Sequence, residues 1–225
     1  MARVARAFDG CYTARRAAAL SGVPVSTVYH WARVGPVEPS VSRVREKLWS
    51  YADLMALRIV YWLRHPKETG SELFAASPMP EVRRALARLE ELGTDIWEGP
   101  GMSKSSLFVS RGGQILIRAD DHVVDSMGQA RFDACLDLLG PFDAASLRGP
   151  DLRKPKPHLR IVPGKCSGEP HLAGTRITTP TIAALVERKY AEAQIARLYP
   201  HEDPLALREA VALEQELAAN LRAVA

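Results

Sequence analysis

From Thr13 to Trp31 the chain reads TARRAAALSGVPVSTVYHW, and no other stretch limits the fold as strongly. Thr13 is an N-cap residue ahead of an alanine-rich helix of barely two turns, which Gly22 stops. The link Gly22-Val23-Pro24-Val25 has room only for a turn. Ser26 is the N-cap expected for a second helix carrying Thr27, Val28, Tyr29, His30, Trp31 and Ala32. Two short helices joined by a glycine turn make a helix-turn-helix. Ala18, Gly22, Val23 and Val28 fall where such a unit needs a small contact residue, a turn glycine and apolar locks. Ser26, Thr27, Tyr29, His30 and Arg33 are left for the outward side. Their mixed donors and acceptors suit base edges and phosphates in a major groove about 12 Å wide. A plain helical hairpin with a polar outer face meets the same pattern, so the flanking segments have to decide.

Those segments are cationic. Residues 1–66 carry ten Lys/Arg against four Asp/Glu, whereas residues 67–145 carry eight against thirteen and residues 146–225 twelve against nine. A basic first third is what a phosphate-backbone binder needs, because each cation brought to a duplex releases condensed counterions. Val41 to Trp49 reads VSRVREKLW; as an extended strand it puts Arg43, Arg45 and Lys47 on one face and Val44 and Leu48 on the other. Ser50-Tyr51-Ala52-Asp53 resembles a capping box with aspartate for the usual glutamate. It opens a third helix through Leu54, Leu57, Val60, Tyr61 and Leu63 to Arg64, stopped by Pro66. Helix, turn, helix, basic wing, helix is the order of a winged helix-turn-helix.

Residues 12–64 resemble the DNA-binding domain of MerR-type regulators. The features are Tyr12-Thr13, the Thr27-x-x-x-Trp31 spacing, Gly35 closing the second helix, and Trp49-Ser50-x-x-Asp53-Leu54 opening the third. Two positions depart from that pattern. Tyr29 stands where those regulators often carry arginine, and Pro66 and Gly70 interrupt what would be a long dimerisation helix, so activation by DNA untwisting is not implied. The expected DNA-binding set is Thr13, Arg16, Ser26, Thr27, Tyr29, His30, Arg33, Arg43, Arg45 and Lys47.

The acidic middle predicts a helix from Ser77-Pro78 to Gly93, short strands at 95–98, 107–110 and 114–119 with a turn at Arg111-Gly112-Gly113, and a helix over 129–139. Arg148 to Lys165 holds six Lys/Arg, one Asp and prolines at 150, 155, 157 and 163, the composition of an extended basic linker. Beyond it a compact module is expected: a strand at 159–162, a helix from Pro180 to Lys189 capped by Thr178 or Thr179, a short helix with Ile195 and Leu198, and a last helix from Pro204 with Leu207, Val211, Leu217 and Leu221. Gly168, Pro170, Leu172, Gly174, Thr175, Arg176, Ile177, Tyr199 and Pro200 make residues 158–218 similar to the domain of unknown function numbered four-thirty-three. That family usually has a glycine near Lys189 and a Ser/Thr cap near Ala191, both replaced here. The resemblance implies an antitoxin whose partner is a PIN-type ribonuclease, and the two resemblances together imply a larger VapB-type antitoxin.

Other chemistry finds little footing. Cys11, Cys135 and Cys166 are odd in number and far apart, which fits a reducing compartment rather than a disulfide framework. No run of about 18 apolar residues and no secretory leader is present, so a cytoplasmic protein without a membrane partner is expected. Gly164-Lys165 lacks the order of a phosphate loop. Cys166, His158, His171 and His201 lack the paired spacing of a zinc site. Asp120-Asp121-His122 and His201-Glu202-Asp203 read as surface loops. No enzyme and no cofactor is expected.

The sequence thus predicts a mainly α chain with small β elements (α+β). Its parts are a winged helix-turn-helix (1–66), an acidic central helix-plus-hairpin unit (67–147), a basic Pro-rich linker (148–157) and a C-terminal helical, helix-turn-helix-like module (158–225). The expected function is that of a type II antitoxin that binds double-stranded operator DNA as a homodimer, regulating its own transcription, and silences a PIN-type ribonuclease toxin. Arg153, Lys154, Lys156, Arg160 and Arg176 are the toxin-binding set; Arg176 either meets an acidic partner or ties its loop to the helices as a buried guanidinium. The final helix is one expected dimer interface. On this division residues 146–225 are removable without loss of operator recognition. The rival expectation is a free-standing MerR-like regulator whose central unit senses a small molecule.

Overall fold

The computed structural model describes residues 9–69, 72–91, 107–109, 115–119, 122–125, 142–144 and 147–223. The chain is α+β: helices joined by short antiparallel strand pairs and one three-stranded sheet. It forms two compact units, one built from residues 1–54 and 147–225 with a short piece at 140–142, the other from 55–139 and 143–146.

The first unit begins with β1 (Tyr12–Thr13) and α1 (Ala14–Ser21). Thr13 caps α1, its side chain accepting from the Arg16 N–H at 3.3 Å. Gly22 ends it at φ 75°, with its N–H on the Ala18 carbonyl; that left-handed backbone suits glycine because any Cβ would crowd the carbonyl. α2 (Val25–Val34) follows. It starts two residues earlier than expected: Pro24, not Ser26, is the N-cap, and no side chain caps it. Gly35, at φ 85°, closes α2 as the sequence implied.

The expected wing strand does not form. β2 is only Leu48–Trp49, pairing with β1 through Tyr12↔Trp49 and Thr13↔Leu48. Ser42 and Leu48 exchange two backbone hydrogen bonds of 3.2 and 2.9 Å, pinching residues 43–47 into a loop. Val44, expected to face inward, is 77 % exposed at that loop. The capping box is present: the Ser50 N–H donates to Asp53 Oδ2 at 2.8 Å and the Asp53 N–H to Ser50 Oγ at 3.2 Å. The same Asp53 oxygen accepts from the Ser40 N–H at 2.9 Å. It opens α3 (Tyr51–Arg64), whose Leu54 belongs to this unit and whose Met55 begins the other.

The rest of the first unit comes from the C-terminal residues. β10 (Leu159–Arg160) pairs with β11 (His171–Leu172). α5 (Thr179–Glu187), α6 (Glu192–Leu198) and α7 (Pro204–Ala223) follow. α5 has Pro180 in its first turn, as expected. It ends in a Schellman motif: the Lys189 N–H reaches the Val186 carbonyl at 2.9 Å and the Tyr190 N–H the Leu185 carbonyl at 3.1 Å. Lys189 sits there at φ 67°, the position where glycine is usual. Ala191 cannot accept a capping bond, but Gln194 returns its Oε1 to the Ala191 N–H at 2.8 Å.

α7 lies along both α5 and α1. Leu207, Ala210, Leu213 and Leu217 on its inner face are each less than 5 % exposed, so the face expected to join two copies is spent inside one. Ala17, Ala18, Ala19 and Leu20 of α1 are equally buried. Each large apolar side chain so buried contributes about 2 kcal/mol to holding the two chain ends together. The division at 66 and 158 is therefore not the one the structure draws: helix-turn-helix and C-terminal module share one core. Residues 150–157 are no tether. Leu152 is fully buried, its carbonyl accepts from the Tyr51 hydroxyl at 2.8 Å, and Asp151 Oδ1 turns the backbone by accepting from the Arg153 and Lys154 N–H groups at 2.7 and 2.6 Å.

The second unit holds the remainder of α3 and the hairpin of β3 (Lys67–Thr69) with β4 (Glu72–Phe74), which the sequence reading missed. α4 (Met79–Glu91) packs on the meander β5 (Leu107–Val109), β6 (Ile115–Ala119) and β7 (His122–Asp125) through β6. The register Leu107↔Ile117 matches the expected hairpin. His122, expected in a surface loop, instead opens β7 opposite Ala119. β8 (Phe142–Ala144) is divided between the units at Asp143, and β9 (Leu147–Gly149) belongs to the first. The expected strand at 95–98, the turn at 111–113, the helix at 129–139, Asp120-Asp121 and Cys135 lie outside the described residues.

Candidate nucleic-acid interface

α2 divides cleanly. Val28 and Trp31 are buried, while Ser26, Tyr29, His30 and Arg33 are exposed and Thr27 is half-buried. Spacings of three, four and seven put the four exposed residues on one stripe. The turn at Gly22 and the two buried anchors hold that stripe outward, and Arg33 lies in the last turn, where the helix dipole favours a cation. Tyr29, 50 % exposed, meets Trp49 edge to face, with ring centroids 6.4 Å apart and planes at 81°. Trp49 follows the 43–47 loop after Leu48, so this contact sets the base of the loop near Tyr29.

Arg43, Arg45 and Glu46 on that loop are exposed and Lys47 is half-buried. Arg43 pairs with Glu38, both about half exposed. Such a surface pair is worth well under about 1 kcal/mol, so the guanidinium is readily exchanged onto a phosphate. The structure thus puts Ser26, Tyr29, His30 and Arg33 on one exposed stripe and ties Tyr29 to Trp49 near the base of the cationic loop. Thr13 is exposed, but its hydroxyl caps α1.

Arg16 is elsewhere. Its guanidinium lies between two carboxylates, donating to Glu169 Oε2 at 2.6 Å and to Glu214 Oε2 at 2.7 Å. A second fork of each pair is made by Nε on Glu169 at 2.9 Å and Nη2 on Glu214 at 2.8 Å. Thr179 Oγ1 also donates to Glu214. Burial alone would lower the arginine pKa, but the hydrogen bonds and charges of Glu214 and Glu169 outweigh it and the pKa is raised. A guanidinium with both edges occupied has none left for DNA, so Arg16, expected in the DNA-binding set, is an internal ion instead. The wide apolar surface of α1, buried at Ala14 and from Ala17 to Leu20, was the available signal. A two-turn helix apolar on so many sides needs a second cover, and any cation on it needs acids from that cover.

Tyr12 completes the junction. Its hydroxyl donates to the Gly168 carbonyl at 2.7 Å, and its pKa is pushed far above the phenol range by burial and by Glu169. Gly168 adopts φ +78°, and a Cβ there would fall 2.0 Å from the tyrosine oxygen. The Cys11 N–H reaches the Ser167 carbonyl at 3.0 Å and the Gly164 N–H the Asp9 carbonyl at 3.2 Å. The Gly-rich stretch thus serves as a dock for the N-terminal strand.

The five cations assigned to a toxin are scattered. Lys156 pairs with Glu216 at 2.6 Å, Arg160 bonds the Pro157 carbonyl at 2.9 Å, and Arg153 is half-buried. Lys154 and Arg176 are exposed, so the buried tie weighed for Arg176 is not made. His201-Glu202-Asp203 ends where Asp203 Oδ1 accepts from the Leu205 N–H at 2.8 Å, opening α7.

The comparisons with known proteins agree with the C-terminal module. Among the described residues no helix is long and apolar enough to cross a membrane. Neither a curated protein nor a solved structure matches the chain. Residues 160–212 match the family model described as "Protein of unknown function (DUF433)", which covers β10 to the middle of α7.

Proposed function

We propose that this chain is a DNA-binding antitoxin of a type II toxin-antitoxin pair, acting as a homodimer on operator DNA through its helix-turn-helix and silencing a PIN-type ribonuclease through its C-terminal module. The observation that carries the DNA half is the outward stripe Ser26, Tyr29, His30 and Arg33, whose Tyr29 meets Trp49 near the base of the loop with the exposed Arg43 and Arg45. A helix of this size fits the major groove, and exposed cations on a neighbouring loop suit the flanking phosphates. Support for the partner half is the family match at 160–212 together with a half-exposed apolar set, Tyr190, Leu198 and Leu205, on the same module. Exposed aromatic and aliphatic side chains of this kind anchor protein interfaces. Lys154 and Arg176 are the cations left open to an acidic nuclease. Autoregulation follows if one body carries both activities.

Co-purification of the chain with the product of its neighbouring reading frame, then a shift assay on the upstream duplex, tests both halves. Retention of a small nuclease and a salt-sensitive shift are expected. No shift at low salt overturns the DNA reading, and a neighbour that is not a nuclease leaves the rival, a free-standing transcriptional regulator.

A further inference from the structure

A groove of about 370 Å³ opens at the turn of the helix-turn-helix, between α1, the start of α2 and the last turns of α7. That is the low end of the range for small-molecule sites, roughly 300–1,000 Å³. Its floor is apolar, from Ala19, Val23, Val25 and Leu221, and its rim carries Arg15, Ser26, Tyr29 and Asn220. Arg15 is exposed and, unlike its neighbour Arg16, makes no ion pair among the described residues. The first turn of the ten-residue α2 forms one wall, with no side-chain cap. Its leading N–H groups have no helical acceptor, and the positive end of the dipole adds to the charge of Arg15. An apolar floor with one positive rim complements a ligand of the opposite build, an apolar body ending in an anion. Acidic side chains are absent from the lining.

We infer that this groove binds a small amphiphilic carboxylate and that its occupation displaces DNA. The antagonism follows from shared residues: Ser26 and Tyr29 belong both to the groove and to the outward stripe of α2. α7 supplies Leu221 and Asn220, so the C-terminal module completes the site. The displacement rests on the DNA reading above; the binding does not.

The test uses the full chain. Calorimetric titration with 2-naphthoate, octanoate and inorganic phosphate is done without DNA, then with the upstream duplex present. Saturable one-to-one binding of the carboxylates, no heat with phosphate, and release of the duplex are expected. Arg15→Gln should weaken naphthoate binding roughly tenfold, the size of one charge-assisted contact. Leu221→Trp should block binding by filling the floor, with an unchanged thermal melt showing that the fold survives. Phosphate binding as well as naphthoate makes the groove a DNA-phosphate contact and overturns the proposal, as does the absence of saturable binding or indifference to both substitutions. Binding without release of a bound duplex overturns the competition alone. If no duplex binds at all, the DNA reading fails, and the titrations without DNA still decide the groove.

Discussion

Residues 43–47 and residues 153–160 have nearly the same chemistry, three cations each or more in a short polar run, and opposite fates. The first is a loop pinched at its base by Ser42 and Leu48, with Val44 in solvent. The second holds or adjoins Leu152, Leu159 and Ile161, each no more than 3 % exposed, and two of its cations turn inward, Lys156 to Glu216 and Arg160 to nearby carbonyls. A buried aliphatic residue within the second segment, Leu159, draws it into the fold, whereas Val44, the aliphatic residue within the first, stays in solvent. Charge alone does not say which segment meets a partner; the aliphatic residues between the charges do.

The same contrast separates Arg15 from Arg16. Adjacent on α1, one faces a groove open to solvent and the other is closed between Glu169 and Glu214. A helix of 3.6 residues per turn places neighbours about 100° apart, enough here to send one side chain to water and the next to the C-terminal module.

Breaking this arrangement at its strongest point gives the largest effect. Removing residues 146–225 strips α1 of α7 and leaves Arg16 without either carboxylate, so the cooperative melt of the first unit should vanish in calorimetry. A truncated chain that still melts cooperatively and shifts DNA would restore the independent head. Arg16→Ala should cost about 3 kcal/mol in denaturant unfolding, because two carboxylates and Thr179 then face each other without their cation. Leu152→Ala should cost a similar amount, about 3 kcal/mol, by leaving a cavity under Tyr51; a loss below 1 kcal/mol would return residues 150–157 to the status of a tether.

Smaller effects sharpen the comparison. His171 is buried and its pKa is lowered below the ordinary 6.5 by burial. Its contribution to stability is therefore present above pH 6.5 and declines as pH falls toward the lower folded-state value. Melting between pH 7 and 5 should show a decline that is shallower in His171→Gln. Arg43→Ala with Arg45→Ala should leave the melting temperature unchanged, yet reduce the slope of log K against log salt on any duplex by about two. Tyr29→Ala should instead change preference among duplexes.

Much of the fold was legible from local chemistry. Thr13, Gly22, Gly35, the Ser50–Asp53 box, Pro180 and the stop before Pro66 each act within a few residues of themselves, through one backbone hydrogen bond or one allowed dihedral, and all appear where the residues placed them. The α2 stripe was legible for the same reason: periodicity sorts Val28 and Trp31 from Tyr29 and His30 without outside help. Where local chemistry was ambiguous, tertiary neighbours decided the outcome. The VSRVREKLW alternation suits a strand, but a strand needs a neighbour, and β2 found one only at Leu48–Trp49. Lys189 took the left-handed turn because the two hydrogen bonds of the Schellman motif and the packing of α5 and α6 outweigh the cost of its Cβ.

Residue order alone determined where α1 and α3 begin and end, which side of α2 is polar, and that both chain ends are basic, since these depend on contacts a few residues apart. Only the folded molecule decided that the first helix and the last share a core, that Arg16 is an internal ion rather than a phosphate ligand, and that a proline-rich basic stretch is packed. Those outcomes join residues some 150 to 200 positions apart, as Tyr12 to Gly168 and Arg16 to Glu214. No periodicity or cap encodes such a pairing; the burial of shared apolar surface selects it.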